Sequence, residues 1–166
     1  MFPKLLRVTD EYYQPEIVVE SKGYITVRIG KSLKATHVYW QLVDPVFSLL
    51  QLGFEWPSGR LVHCSVPLFK GDVETLETDP GLGGTVGTPF FDLSKWPVCV
   101  TEGRDVSGNV IEEPGKTRLQ RSRNALSILA REGTRQRSVV YGGKVVCDFD
   151  RNDELTDLTL LGFYPI

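Results

Sequence analysis

The stretch that decides the fold is Ser138-Val139-Val140-Tyr141-Gly142-Gly143-Lys144-Val145-Val146-Cys147. Two runs rich in β-branched residues flank a pair of glycines. Two adjacent glycines supply the positive φ values that a two-residue hairpin turn requires. This stretch therefore predicts an antiparallel β-hairpin.

The same two-residue periodicity extends along most of the chain. Ile25, Val27 and Ile29 alternate with polar residues, as they would on one face of a strand. Pro57-Ser58-Gly59 separates two apolar runs and predicts a second hairpin, and the polar turn Asp150-Arg151-Asn152-Asp153 predicts a third. The strands expected from these patterns lie within residues 24–29, 36–42, 46–56, 60–69, 138–141, 144–147 and 155–163.

Helical signals are few. Residues 44–50 begin with a possible N-cap, Asp44, followed by proline at the first helical position. Residues 117–132 are long enough for a helix, but Leu126, Ile128 and Ala130 alternate as in a strand, so we favour a strand over 125–131. The predicted fold class is mainly β, with antiparallel sheets forming a sandwich or one strongly curved sheet and at most one or two short helices.

Length and composition indicate one folded domain over residues 1–166. The chain is 41% hydrophobic and 24% charged, which excludes a disordered or collagen-like protein. Two segments rich in glycine and proline, at about 70–89 and 102–116, are expected to be long loops.

No run of residues resembles a membrane span or a secretory signal, because no uncharged stretch approaches the ~18 apolar residues of a span. Cys64, Cys99 and Cys147 are odd in number and far apart in sequence. This pattern argues against a disulfide framework or a paired-cysteine zinc site. We expect three buried structural thiols in a cytoplasmic protein.

No catalytic constellation is evident. His37 and His63 lie in strand-like runs, and His63 and Cys64, as adjacent strand residues, point to opposite faces. The segment Gly81-Leu82-Gly83-Gly84-Thr85-Val86-Gly87 lacks the Lys-[Ser/Thr] of a phosphate-binding loop and the dinucleotide-binding spacing. We therefore expect no enzyme, no catalytic residue, no metal and no cofactor.

Charge is unevenly distributed along the chain. Between Lys116 and Ser138 there are seven basic residues against one acid, Glu132, which gives +6 there and leaves −8 on the rest of a chain whose formal charge is −2. The basic segment lacks interleaved aromatic residues, and the acidic balance opposes nucleic-acid binding. Two interpretations stay open: basic and acidic strands that neutralise each other across a sheet, or an acidic face that docks a basic protein.

On the second interpretation, the partner-binding residues are acidic. Five lie in and around the turn of the last hairpin and three lie in the first long loop. They are Asp148, Asp150, Asp153, Glu154 and Asp157, with Glu74, Glu77 and Asp79 as secondary contacts. Such a patch would raise the rate of association with a cationic surface.

Two segments, Phe54-Glu55-Trp56-Pro57-Ser58-Gly59-Arg60-Leu61-Val62 and Val145-Val146-Cys147-Asp148-Phe149-Asp150, form strand–turn–strand units beside this acidic pattern. In these features the chain resembles the immunity proteins that neutralise polymorphic bacterial toxins, including those of contact-dependent growth inhibition. The resemblance implies an inhibitor that binds one cognate toxin domain, a nuclease with a basic surface, and that catalyses no reaction. It implies neither a nucleic-acid nor a membrane partner.

An alternative function is small-ligand binding inside a β-barrel or sandwich. The aromatic residues Tyr39, Trp40, Phe54 and Trp56 could line a cavity for such a ligand. The same residues could instead fill the core.

Overall fold

A computed structural model describes residues 1–20, 23–30, 36–44, 49–67, 73–81, 83–97 and 109–162. Every regular element in these ranges is a β-strand, and they contain no helix that is long and apolar enough to cross a membrane. The strands are β1 (Leu5–Thr9), β2 (Pro15–Glu20), β3 (Tyr24–Ile29), β4 (Thr36–Val43), β5 (Leu49–Trp56), β6 (Leu61–Pro67), β7 (Val73–Thr75), β8 (Thr85–Val86), β9 (Thr88–Phe91), β10 (Val110–Pro114), β11 (Arg118–Arg121), β12 (Ala125–Leu129), β13 (Arg137–Tyr141), β14 (Val145–Phe149) and β15 (Leu155–Leu161).

The strands form two large sheets and one strand pair. The six-stranded sheet has the order β10-β4-β5-β6-β3-β2, the seven-stranded sheet has the order β7-β11-β12-β15-β14-β13-β8, and β1 pairs with β9. Pairing is antiparallel except for β10 on β4, β7 on β11 and β8 on β13, which are parallel. The predicted mainly antiparallel β fold is confirmed, and the arrangement is consistent with a sandwich.

One hydrophobic core takes side chains from both large sheets. The strand alternation sends Trp40 and Phe54 inward from the six-stranded sheet and Phe149 inward from the seven-stranded sheet, all fully buried. Phe91, at the end of β9, contacts both Phe54 and Phe149, with ring centroids 4.9 and 5.9 Å apart. The small β1–β9 pair therefore contributes to the contact between the two sheets.

A buried guanidinium connects elements of the six-stranded sheet. Arg60 is 3% exposed and forms an ion pair with Glu55 at 3.1 Å, and it donates a hydrogen bond to the Ile29 carbonyl oxygen. Its guanidinium lies 4.1 Å from the centre of the Tyr13 ring. The charge is thus compensated on several sides, which a buried guanidinium requires.

The predicted hairpins are confirmed. Gly142 and Gly143 have φ values of 55° and 67° and connect β13 to β14, while Pro57-Ser58-Gly59 lies between β5 and β6. Residues 125–129 are a strand, so the strand interpretation of 125–131 is confirmed except for its last two residues, and residues 118–121 form a further strand. Of the possible helix over residues 44–50, positions 45–48 lie outside the described residues, and Leu49 and Leu50 belong to β5.

The long-loop prediction was wrong in part. The first segment, 70–89, contains β7, β8 and the start of β9, and the second, 102–116, contains β10. Three of these strands pair in parallel with strands distant in sequence, at the outer edges of the two sheets. Short edge strands of this kind carry no local hairpin signal, so glycine content dominated the sequence pattern.

Candidate functional site

Asp148 does not lie on an open acidic surface. It is 4% exposed, accepts a hydrogen bond from the Ser138 hydroxyl on the neighbouring strand and lies 3.5 Å from the Arg135 guanidinium. On its other side the register of β14 and β15 places it directly opposite Asp157. The carboxylate is therefore part of the folded structure rather than of a free surface.

Asp150 organises the turn of the last hairpin. Its carboxylate accepts hydrogen bonds from the backbone N–H groups of Asn152 and Glu154, at 2.8 and 3.1 Å. Arg131 forms ion pairs with both Asp150 and Glu154, and its guanidinium lies 5.2 Å from the centre of the Phe2 ring. Burial acts to raise the pKa of the Asp150 carboxyl, but these N–H donors and Arg131 hold it below its usual range.

Two further residues of this group differ in exposure. Asp153 is half-exposed, has a φ of 60° and lies 3.8 Å from Arg137. Asp157 is largely buried, and its Oδ1 atom has no hydrogen-bond partner within the described part of the chain. Burial, together with the charge of Asp148, raises the pKa of Asp157 to about 6.

The secondary acidic residues also have local roles. Glu74 on β7 accepts a hydrogen bond from the Gln120 side chain at 2.7 Å. Asp79 accepts hydrogen bonds from the Ser122 hydroxyl and from the backbone and side-chain nitrogens of Asn124, and these donors lower the pKa of its carboxyl. Glu77 is exposed.

Six of the eight acidic residues therefore have partners within the described part of the chain. Arg131, Arg135 and Arg137, all from the basic segment, form ion pairs with Asp150, Glu154, Asp148 and Asp153. These pairs support the interpretation that basic and acidic strands neutralise each other. That the eight acidic residues contact a partner stays a prediction.

A different surface presents side chains that have no role in the core. We call it the outer face, meaning the face of the six-stranded sheet that points away from the seven-stranded sheet. Its side chains alternate along each strand with the buried core residues. It consists of Glu16, Val18, Glu20, Tyr24, Thr26, Arg28, His37, Tyr39, Gln41, Gln51, Gly53, Glu55, His63, Ser65, Val110 and Glu112.

An aromatic row crosses the middle of the outer face. The Tyr39 ring lies against Gly53, on the neighbouring strand, and between His37 and His63, with ring centroids 6.4 and 6.3 Å away in edge-on geometry. A Cβ atom on Gly53 would come within 3.0 Å of the Tyr39 ring and 2.9 Å of the His63 Cβ. Glycine at this position thus allows the tyrosine to lie flat across the sheet.

His63 is the most perturbed titratable group of this row. Burial, with the nearby positive charges of Arg28 and His37, lowers the pKa of His63 below its usual value, against an opposing effect of Glu20. The imidazole is therefore held neutral at physiological pH. A half-buried aromatic row of this kind has the character of a contact surface.

An amide and hydroxyl row runs beside the aromatic row. Gln41 pairs with Gln51, Gln51 with Ser65 and Ser65 with Thr26 in the strand register. The two glutamines are half-buried at the middle of the sheet. Their amides offer both donors and acceptors.

Charged residues flank these rows. Besides the Glu55–Arg60 ion pair, the margin holds one basic residue, Arg28, and three acidic residues. The acidic residues are Glu16, Glu20 and Glu112. Within the described ranges none of these four residues forms a salt bridge, although Glu20 accepts a hydrogen bond from the Thr26 hydroxyl at 2.7 Å. The outer face therefore carries an excess of negative charge at its margin.

The four aromatic residues considered for a ligand cavity do not face one space. Trp40 and Phe54 are fully buried, Trp40 against Phe2 and Phe54 against Phe91 and Trp96. Trp56 is partly buried against the core, whereas Tyr39 lies on the outer face. Trp40 and Phe54 fill the core, which is the other role that the sequence allowed.

The sequence contains a local signal for part of the outer face. In Thr36-His37-Val38-Tyr39-Trp40-Gln41-Leu42, the period of two places His37, Tyr39 and Gln41 together, opposite Val38, Trp40 and Leu42. His63 joins them only through the pairing of β5 with β6, which no local pattern reveals.

The described residues contain no group of three or more His, Cys, Asp or Glu side chains placed to hold a metal ion. No protein-family model matches the chain, and no curated protein matches its sequence.

Proposed function

We propose that the chain is an immunity protein that binds and neutralises a cognate toxin domain through the outer face of the six-stranded sheet. The observation that carries the proposal is a sheet face with half-buried aromatic, imidazole and amide side chains at its middle and carboxylates at its margin. The contact surface proposed here thus differs from the acidic hairpin turn, whose carboxylates have partners within the chain.

The composition of the outer face suits a protein partner. Protein interfaces are enriched in aromatic side chains at their centre and depleted of charge there, with a polar margin. Tyr39 offers a large contact area at a low entropic cost, because its ring is already held between His37 and His63. Gln41 and Gln51 can hydrogen-bond to a partner's backbone or side chains.

The negative charge at the margin of the outer face favours a cationic partner. Glu16, Glu20 and Glu112 outnumber Arg28 by two charges. A nuclease toxin binds its substrate through a positive surface, because phosphate contacts dominate nucleic-acid affinity. Carboxylates facing such a surface accelerate association and disfavour acidic partners.

The proposal includes a cytoplasmic location in a bacterium. Its support is the cysteine usage: Cys64 and Cys147 are buried and free. Burial raises the pKa of the Cys64 thiol to about 12, so this thiol stays protonated and behaves as a core residue.

The test inserts charges of either sign at Gln51, in the middle of the outer face. The Gln51→Lys variant should bind the cognate toxin domain at least about tenfold more weakly than the original chain, because like charges across an interface cost several kcal/mol. The Gln51→Glu variant, of the same length, should bind equally well or more tightly. Isothermal titration calorimetry with the purified toxin domain measures both affinities.

The control variant is Tyr12→Lys, since Tyr12 is 72% exposed and lies outside the outer face. It should leave the affinity unchanged. Equal weakening by Gln51→Lys and Gln51→Glu, or no effect of either, would refute binding of a cationic partner at the outer face.

A further inference from the structure

A basic cleft lies at the edge of the seven-stranded sheet. It has a volume of about 360 Å³ and lies between the glycine-rich segment that leads into β8 and the segment that leads into β13. Its lining includes Gly83, Gly84, Thr85, Arg135, Arg137 and Ser138. Two arginines thus line the cleft, and its described lining includes no aspartate or glutamate.

Each of the two arginines forms an ion pair with an aspartate. Asp148, buried and fixed by the Ser138 hydroxyl, lies 3.5 Å from Arg135, and Asp153 lies 3.8 Å from Arg137. Both distances exceed those of a strong charge-assisted hydrogen bond, which are about 2.7–2.9 Å. Each guanidinium carries five N–H donors, so most of them remain available to a ligand in the cleft.

The glycine-rich segment closes the other side of the cleft. Gly84 packs so tightly on β13 that a Cβ atom there would lie 2.7 Å from the Ser138 carbonyl oxygen. The parallel pairing of β8 with β13 continues this contact. Glycine backbone and two arginines thus border one concave, positively charged surface of the kind that binds oxyanions.

We propose that this cleft binds the phosphate group of a small ligand, with Arg135 and Arg137 as its charged contacts. Guanidinium groups match phosphate oxygens in pairs of parallel hydrogen bonds. Asp148 and Asp153 act as positioning residues that orient the arginines. The site belongs to the edge of the seven-stranded sheet, so it is independent of the outer face and of the protein partner proposed for it.

The test is an NMR titration of the full chain with inorganic phosphate and, separately, with phenyl phosphate, at constant ionic strength. Saturable shifts should appear at the backbone amides of Gly83, Gly84 and Thr85 and at the side-chain Nε–H groups of Arg135 and Arg137. Tighter binding of phenyl phosphate would assign the site to an organic phosphate, and equal binding would assign it to the free ion. Small non-saturating shifts at all exposed arginines would overturn the proposal.

The variants test the two walls of the cleft separately. Arg137→Gln, whose partner Asp153 is half-exposed, should weaken phosphate binding at least about fivefold, and adding Arg135→Gln should abolish saturable binding. Arg123→Gln, outside the cleft, serves as the control.

Gly84→Ala should weaken binding because its Cβ would strike the Ser138 carbonyl oxygen, whereas Gly81→Ala, with open space around it, should not. Equal affinities of Arg137→Gln and Arg123→Gln would contradict the proposal even if Arg135→Gln fails to fold.

Discussion

Asp157 is the residue whose charge is the least compensated in the last hairpin. Its Oδ1 atom is buried and has no hydrogen-bond partner in the described ranges, and Asp148 lies directly opposite on the next strand. Like charges on directly opposed strand residues destabilise a sheet. Burial and the charge of Asp148 raise the pKa of Asp157 to about 6, and the Thr156 hydrogen bond and the charges of Arg135 and Arg118 offset this rise only in part.

The consequence is a stability that depends on pH. The folded chain binds a proton at Asp157 near pH 6, whereas the unfolded chain binds it only near pH 4. Protonation of Asp157 therefore raises the free energy of unfolding as the pH falls from above 6 to 4. This contribution is lost as the pH rises through 6. The Asp157→Asn variant should be more stable than the original chain at pH 7.5, by about 1 kcal/mol once solvent screening of its exposed part is allowed for.

Urea unfolding of both chains between pH 4 and pH 8 measures this effect. The difference between the variant and the original chain should grow with pH and level off above pH 7. A variant that is less stable at pH 7.5 would contradict the account, because it would mean that Arg135 or Arg118 more than compensates the charge of Asp157.

The ion pairs formed by single residues could not be predicted from the sequence. The acidic cluster and the basic segment are visible in the sequence, but the individual ion pairs are not. Arg137 meets Asp153, and Arg135 meets Asp148, because β13 pairs antiparallel with β14 in a register that puts Ser138 opposite Asp148. The sequence shows charge counts, whereas exposure and pairing depend on this register.

At the scale of elements, hairpins were predictable and edge strands were not. A hairpin such as β13–β14 is specified locally by its two glycines and its alternating flanks. The strands β7, β8 and β10 are held by partners far away in sequence, and two of them have only three residues or fewer. Their positions depend on tertiary contacts, which override weak local preferences.

The β13–β14 turn allows a matched test of this local specification. Gly142 and Gly143 both have positive φ, but a Cβ atom on Gly142 would lie 2.2 Å from Pro15 Cδ, whereas one on Gly143 would meet nothing within 4 Å. Gly143→Ala should lower the free energy of unfolding by about 1 kcal/mol, which is the cost of the left-handed backbone. Gly142→Ala should cost at least about 2 kcal/mol, since the turn must also separate from Pro15 at the start of β2.

Urea unfolding monitored by tryptophan fluorescence compares the two variants. Equal losses would contradict the described contact between the turn and Pro15. A larger loss for Gly143→Ala would contradict the local account of the turn as well.

At the scale of the whole molecule, the two large sheets carry two different surfaces. In the seven-stranded sheet and its last turn, Asp148, Asp150, Asp153 and Glu154 form ion pairs with the basic segment, and a basic cleft lies at one edge. The six-stranded sheet leaves an aromatic and amide face, which we propose as the contact surface for a cationic toxin domain. The fold class was predictable from periodicity, but this division of roles needed the strand order.

The most direct test of that central claim is a cross-saturation NMR experiment on the complex of the full chain with the cognate toxin domain. The account predicts saturation transfer centred on the side chains of Tyr39, Gln51 and His63, with the hairpin turn at Asp150 and Asp153 unaffected. Transfer centred on that turn, or no complex at micromolar concentrations, would contradict it.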